Sequence, residues 1–190
     1  SPAGPMIEPF SEAVSGNGVI SYGLTSAGYD LRLWNEVLVF KNVFGEVVDP
    51  KRFGDESYRR RVFEELVVGS DLGNKENALT IPAHGYLLGR SYEYLRIPRN
   101  LKGRCVGKST LARSGVIVNC TPLEPGWEGY LTIEISNANP CPARVYVMEG
   151  IAQLEFETLV ENPQLDYSQK NDGKGGKYQG QIGVTPARVL

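Results

Sequence analysis

The run Tyr130-Leu131-Thr132-Ile133-Glu134-Ile135 sets an acid into a strand pattern. Alternation places Leu131, Ile133 and Ile135 on one face and Thr132 and Glu134 on the other. A carboxylate so placed is either a solvent-facing charge or, where another surface covers it, a desolvated general acid–base. A second group, Gly107-Lys108-Ser109-Thr110-Leu111-Ala112-Arg113, brings together two cations, two hydroxyls and a flanking glycine. Such a set suits phosphate oxygens, through charge-assisted bonds and backbone N–H groups. It lacks the spacing of a P-loop, and on local evidence alone it reads as a capped turn with a solvated Lys and Arg. In a third segment, Ala27-Gly28-Tyr29-Asp30-Leu31-Arg32, the glycine permits close backbone approach and the Asp30–Arg32 pair can steady a turn, so its role reads as structural.

Missing groups narrow the chemistry further. His84 is the one histidine, follows a Pro82-Ala83 turn and has no evident partner, which leaves little support for a Ser-His-Asp or Cys-His nucleophile. Zinc-dependent base deaminases need an H-x-E pair and a P-C-x-x-C pair to activate water. Here Pro140-Cys141 continues as Pro142-Ala143 and no H-x-E exists. Hydrolysis would then rest on a carboxylate base without protein-bound zinc. Cys105, Cys120 and Cys141 are dispersed, without a CxxC pair, and read as small buried side chains.

The elements that must hold these groups are predicted to be strands. The chain has 190 residues, 41% of them hydrophobic, with 22 Gly and 12 Pro, which favours a turn-rich all-β domain spanning residues 1–190. Residues 1–5, ahead of Met6, carry no structural expectation. Strands are expected in Val19–Phe40, broken by Gly23, Gly28 and Asn35, and again around Val47–Val48. One short peripheral helix is predicted in Asp55–Val68, capped by Asp55 and presenting Tyr58, Val62, Phe63 and Leu66 on one face. Ser70–Asn77 reads as a polar loop, and Leu79–Ile97 as strand pieces turned at Pro82, Gly85 and Gly89. Regular strands follow at Val116–Val118, Tyr130–Ile135, Arg144–Val147 and Ile151–Phe156, a spacing that suits a sandwich, jelly roll or distorted barrel. The glycine-rich tail, residues 168–190, reads as a lid that is either disordered or ordered by a ligand or neighbouring subunit. A net charge of −2 argues against a broad nucleic-acid surface. Apolar runs as short as Val37–Phe40 and Val145–Met148 suggest no membrane span or signal core, so a cytoplasmic location is expected.

Taken in order, Ala27–Leu31, Gly107–Arg113, Pro122-Leu123-Glu124-Pro125-Gly126-Trp127-Glu128-Gly129 and Glu149-Gly150-Ile151-Ala152-Gln153-Leu154 resemble the motifs of the deoxyuridine triphosphatase (dUTPase) and dCTP deaminase superfamily. The likeness runs over residues 17–184. It implies a dUTPase-like distorted β-barrel or jelly roll (β-clip) assembled as a homotrimer, with active sites at the subunit interfaces. Glu124 and Trp127 stand where the triphosphatases have an Asp and a Tyr, and Lys177-Tyr178-Gln179-Gly180-Gln181 replaces their Arg-Gly-rich tail. With the Glu134 strand, these departures are similar to the dCTP deaminase branch.

That branch implies hydrolysis of dCTP to dUTP and ammonia, which supplies dUTP for thymidylate synthesis. Glu134, Ser109 and Arg113 would be catalytic. Lys108, Thr110, Leu111, Ala112, Glu124, Thr132, Ile133, Gln153, Tyr167, Lys177 and Gln181 would complete the substrate site with them. Mg²⁺ would come with the nucleotide phosphates and zinc would be absent. Deoxythymidine triphosphate would be a candidate inhibitor, and neither nucleic acid nor membrane a partner. The alternatives are a bifunctional enzyme that carries dCTP on to dUMP, a dUTPase, and a non-catalytic nucleotide-binding trimer.

Overall fold

A computed structural model describes residues 4–41, 45–69, 77–119 and 121–189. In chain order its strands are β1 (Ile7–Glu8), β2 (Val14–Gly16), β3 (Val19–Leu24), β4 (Tyr29–Arg32) and β5 (Glu36–Phe40). Helix α1 (Glu56–Val62) then leads into β6 (Phe63–Val67), β7 (Ala78–Ile81), β8 (Tyr86–Arg96) and β9 (Leu101–Gly107). After the single-turn α2 (Ser109–Ala112) come β10 (Val116–Val118), β11 (Pro122–Leu123), β12 (Glu128–Asn137), β13 (Ala143–Tyr146) and β14 (Gly150–Thr158). One sheet runs β10-β12-β8-β5-β6, with β1 also paired to β8, and the other β11-β9-β14-β4-β3-β2. Strands β13 and β7 form a small third sheet.

Leu87, Leu95, Ile133 and Ile135 of the first sheet share one buried cluster with Leu31, Cys105 and Leu154 of the second, so the core lies between the sheets. The β-rich expectation and the alternation of the Glu134 strand hold. No helix among the described residues is long and apolar enough to cross a membrane.

Several local expectations do not hold. The predicted helix ends at Val62. Asp55 caps it as expected, accepting from Ser57 N at 2.9 Å and Tyr58 N at 3.3 Å, but Phe63–Val67 pairs with β5 as a strand. The open edge of β5 offered those residues a ladder, and as a strand Phe63 packs in the same satellite core as Tyr58 and Val62. Val47–Val48 forms no strand: Tyr58 Oη donates to Val47 O at 2.9 Å and accepts from Asp49 N at 2.6 Å, pinning that segment to the helix instead. Gly89 is no turn but lies inside β8, where a Cβ would meet Leu33 Cδ1 at 2.7 Å. Gly23 likewise lies inside β3. Cys105 is buried as expected, whereas Cys141 is exposed on the turn after Pro140. Cys120, and the expected Ser70–Asn77 loop apart from Asn77, lie outside the described residues.

The pairing of β8 with β12 decides where the candidate acid sits. Thr132 to Ser136 pair with Arg90 to Tyr86, but the register shifts between Tyr130 and Thr132. The shift leaves Leu131 N without a ladder partner, and the Ser91 hydroxyl supplies one at 2.9 Å while donating to Glu93 O at 2.7 Å. Beside it Glu93, fully buried, accepts from Arg32 N at 3.0 Å and Arg32 Nε at 2.7 Å. The Arg32 guanidinium lies between the rings of Tyr22 and Tyr92, at 4.8 and 4.5 Å from their centroids. Ser91→Ala strands a buried donor and acceptor together. It should lower unfolding stability by about 1–3 kcal/mol in urea titrations, and an unchanged midpoint would deny the hydroxyl this role.

Candidate active site

Glu134 projects from the centre of β12 into a cavity of about 690 Å³. Neighbouring strands wall one side: Tyr86 and Leu88 of β8, with Phe40 and Phe63 beyond them. The other side is built by Glu124, Trp127, Tyr167, Lys170, Lys177 and Gln181. Burial pushes the Glu134 carboxyl above its ordinary range, against hydrogen bonds from its own backbone N–H and from Thr121 and Asn119. Thr121 Oγ1 is the donor to Glu134 Oε2, at 3.4 Å. Tyr86 is pushed up to about 12, by burial first and then by the Glu134 charge. The phenol therefore stays protonated beside an acid that ionises reluctantly.

The roof comes from the tail. Asp166 caps the turn Tyr167–Gln169 and pairs with Arg99 at 2.8 Å, while Tyr167 N donates to Pro125 O at 2.8 Å. Gly126, at φ +79°, meets this corner where a side chain cannot fit, since a Cβ would stand 2.6 Å from Asp166 Cγ. Beyond the corner, Trp127 Nε1 donates to Tyr178 O, Gly180 N to Glu128 O and Tyr130 N to Gln181 O, all at 2.8–2.9 Å. Thr132 Oγ1 then donates to Gln181 Oε1 at 3.0 Å and accepts from Thr185 N at 3.1 Å. The tail thus lies along β12, bonded to groups of its own chain. Glycines that cannot build a core still lend their backbone N–H and C=O groups to an existing strand.

Of the residues singled out in the sequence, the cavity gathers Glu124, Thr132, Glu134, Tyr167, Lys177 and Gln181. Ile133 turns the other way, into the core, so its side chain does not reach the cavity. The loop 108–113 lies outside this cavity, with Ser109, Thr110, Ala112 and Arg113 exposed and Leu111 buried in the core. Gln153 faces elsewhere on the second sheet, donating to Thr25 Oγ1 at 3.2 Å. Sequence reasoning missed Tyr86, Leu88, Thr121 and Lys170. Lys170 forms an ion pair with Glu124 and stands 5.0 Å from the Tyr167 ring centroid. Its only written sign was a lysine one helical turn beyond Tyr167; Tyr86 and Leu88 needed the β8–β12 register, which local pattern does not reveal.

The fold is that of a nucleotide deaminase structure. Over 80% of this chain and 43% of the other, it superposes on the crystal structure of 2′-deoxycytidine 5′-triphosphate deaminase from Agrobacterium tumefaciens, with a TM-score of 0.53 and 16% identity. At sequence level, a family model described as dCTP deaminase-like matches residues 6–159. A dCTP deaminase of Herpetosiphon aurantiacus is 47% identical over 97% of this chain and 91% of its own length, and one of Roseiflexus castenholzii is 49% identical over the same shares. The chain belongs to the dCTP deaminase-like family.

The raised Glu134 pKa has a consequence for stability. The folded chain holds this proton more tightly than the unfolded chain, so the contribution is complete below the unfolded pKa of about 4.3 and is lost as pH rises towards the folded value. Glu134→Gln removes that loss. The variant should be at least as stable as the parent at about pH 7, with its advantage shrinking towards about pH 4, in urea titrations at both. A variant less stable at the higher pH would mean that the carboxylate is not desolvated.

Proposed function

We propose that this chain deaminates dCTP hydrolytically to dUTP and ammonia, as a cytoplasmic homotrimer acting on the Mg²⁺ complex of the nucleotide. The observation that carries this reading is Glu134, a desolvated carboxylate in a roofed cavity, in a chain nearly half identical to proteins named dCTP deaminase. An acid with a raised pKa is a stronger base once ionised, and so better matched to taking a proton from water near neutral pH. Glu134 accepts that proton as the water oxygen bonds to C4 of cytosine, and passes it to N3. It then moves the second water proton to the C4 amino group. The C4–N bond breaks, ammonia leaves, a carbonyl remains at C4 and the carboxylate is restored.

Tyr167 and Glu124 offer a ring and an acceptor to the deoxyribose, while Lys177 supplies positive charge at the phosphate end. Glu124 is engaged by Lys170, so the Mg²⁺ enters as part of the substrate, bound through phosphate oxygens and water. Support for the trimer comes from the phosphate loop. Ser109, Thr110 and Arg113 lie outside the cavity that holds Glu134 of the same chain, and a neighbouring subunit's loop would complete it. Edge strand β10, with Ile117 53% exposed, is a surface such a neighbour would cover.

Incubation with Mg²⁺·dCTP should yield dUTP and ammonia in equal amounts on chromatography. dUMP with pyrophosphate would mark a bifunctional enzyme, turnover of dUTP alone a triphosphatase, and binding without turnover a regulator. Glu134→Gln should cut turnover by roughly two to four orders of magnitude while nucleotide binding is kept. Near-normal turnover would remove Glu134 from the role of base. If the site is shared, inactive Glu134→Gln and Arg113→Ala subunits, dissociated and reassembled together, should regain part of the activity. Trimers that form without such rescue would place both residues in one chain's site.

A further inference from the structure

The phosphate loop carries two cations that the fold treats in opposite ways. Arg113 is exposed, and its side chain makes no hydrogen bond or ion pair among the described residues. Lys108 turns inward. Its ammonium forms an ion pair with Asp30 of β4 and reaches Ser21 Oγ of β3 at 3.2 Å. The Lys108 and Asp30 side chains are only 11% and 9% exposed. Asp30 is itself fixed mid-sheet, opposite Gly23 of β3 on one side and Gln153 of β14 on the other. The Lys108 stem runs past Gly150 of β14, where a Cβ would lie 3.1 Å from Lys108 Cδ and 1.9 Å from the Ser21 carbonyl oxygen.

We propose that Asp30 and Lys108 form an internal strut that aims the loop 109–113, so that Lys108 is a positioning residue and the anion is met by Ser109, Thr110 and Arg113. The proposal rests on the nucleotide reading of this loop. An ammonium withdrawn this far from water needs its counter-charge, and a phosphate could capture Lys108 only by leaving Asp30 buried and unpaired. Paired, the two charges largely cancel at a distance and add little attraction for a triphosphate. What the pair does supply is a fixed origin for α2, whose first turn has no side-chain cap of its own. It also accounts for the pairing of two sequence motifs 78 residues apart: the segment 27–32 holds the strut's far end.

Inorganic tripolyphosphate with Mg²⁺ is the probe, titrated calorimetrically into the full chain and into Asp30→Asn, Lys108→Met and the double variant. A strut predicts that both single variants weaken binding by about tenfold or more and that the double is no worse than the weaker single, because each change already removes the whole interaction. Amide exchange across 109–115 should quicken in all three. Lys108→Met alone weakening binding, with Asp30→Asn neutral or tighter, would make Lys108 a phosphate ligand and overturn the proposal. Should the single variants fail to fold, the double, which leaves no unpaired charge, decides: weaker binding with faster loop exchange supports the strut, and weaker binding with unchanged exchange refutes it. A parent chain that binds neither tripolyphosphate nor dCTP would refute the nucleotide reading, while the exchange data would still report on the strut.

Discussion

The ladder between β8 and β12 is the constraint on which the rest of the structure depends. Because side chains alternate along a strand, a slip of one residue in β12 would carry Glu134 into the core and Ile133 into the cavity. The register avoids this on one side of the Tyr130–Thr132 irregularity, where Glu134 stands opposite Leu88, and it is locked on the other by Ser91, whose hydroxyl serves the one donor the shift displaces. The same ladder brings Tyr86 and Leu88 to the acid and so creates the low-polarity wall that raises its pKa. Position, environment and proton affinity of Glu134 therefore share one origin in a strand pairing.

A division of labour follows between the two sheets. The first supplies the acid and its apolar wall, while the second anchors the basic loop through Lys108 and contains the motif that begins at Ala27. Gly28 shows how close this second sheet is: a Cβ there would lie 2.1 Å from Leu154 O. Within one chain the acid and the exposed cation of the loop serve different surfaces. The trimer proposed above would join them by assembly rather than by folding, which sets the chemistry proposed here apart from the stability of the single chain.

Much of this was legible in the sequence, and the failures share a cause. The alternation from Tyr130 to Ile135 gave both the strand and the facing of Glu134, and Asp55 gave the start of α1, since both signals are local. Phe63–Val67 was misread because its partner β5 lies more than twenty residues away, and an apolar residue on a helix face looks the same as one on a strand face over so short a stretch. Gly89 was misread as a turn because the crowding that demands glycine comes from Leu33, in a different part of the chain. In the site, the resemblance led to Glu134, Tyr167, Lys177 and Gln181, which the cavity gathers. Lys170 and Tyr86 were invisible to it because what recommends them is contact, with Glu124 and with the acid.

The roof over the cavity is fastened mostly by main-chain groups: Tyr178 O, Gly180 N and Gln181 O meet Trp127, Glu128 and Tyr130. A fastening made by the polypeptide backbone does not depend on which side chains the tail carries. Shape and recognition are thereby uncoupled, and the tail can exchange residues that face the ligand while its course across β12 is preserved. Substitutions at exposed tail positions such as Ile182 should therefore cost little in folding, whereas a slip in the β8–β12 ladder would turn every side chain of the strand over.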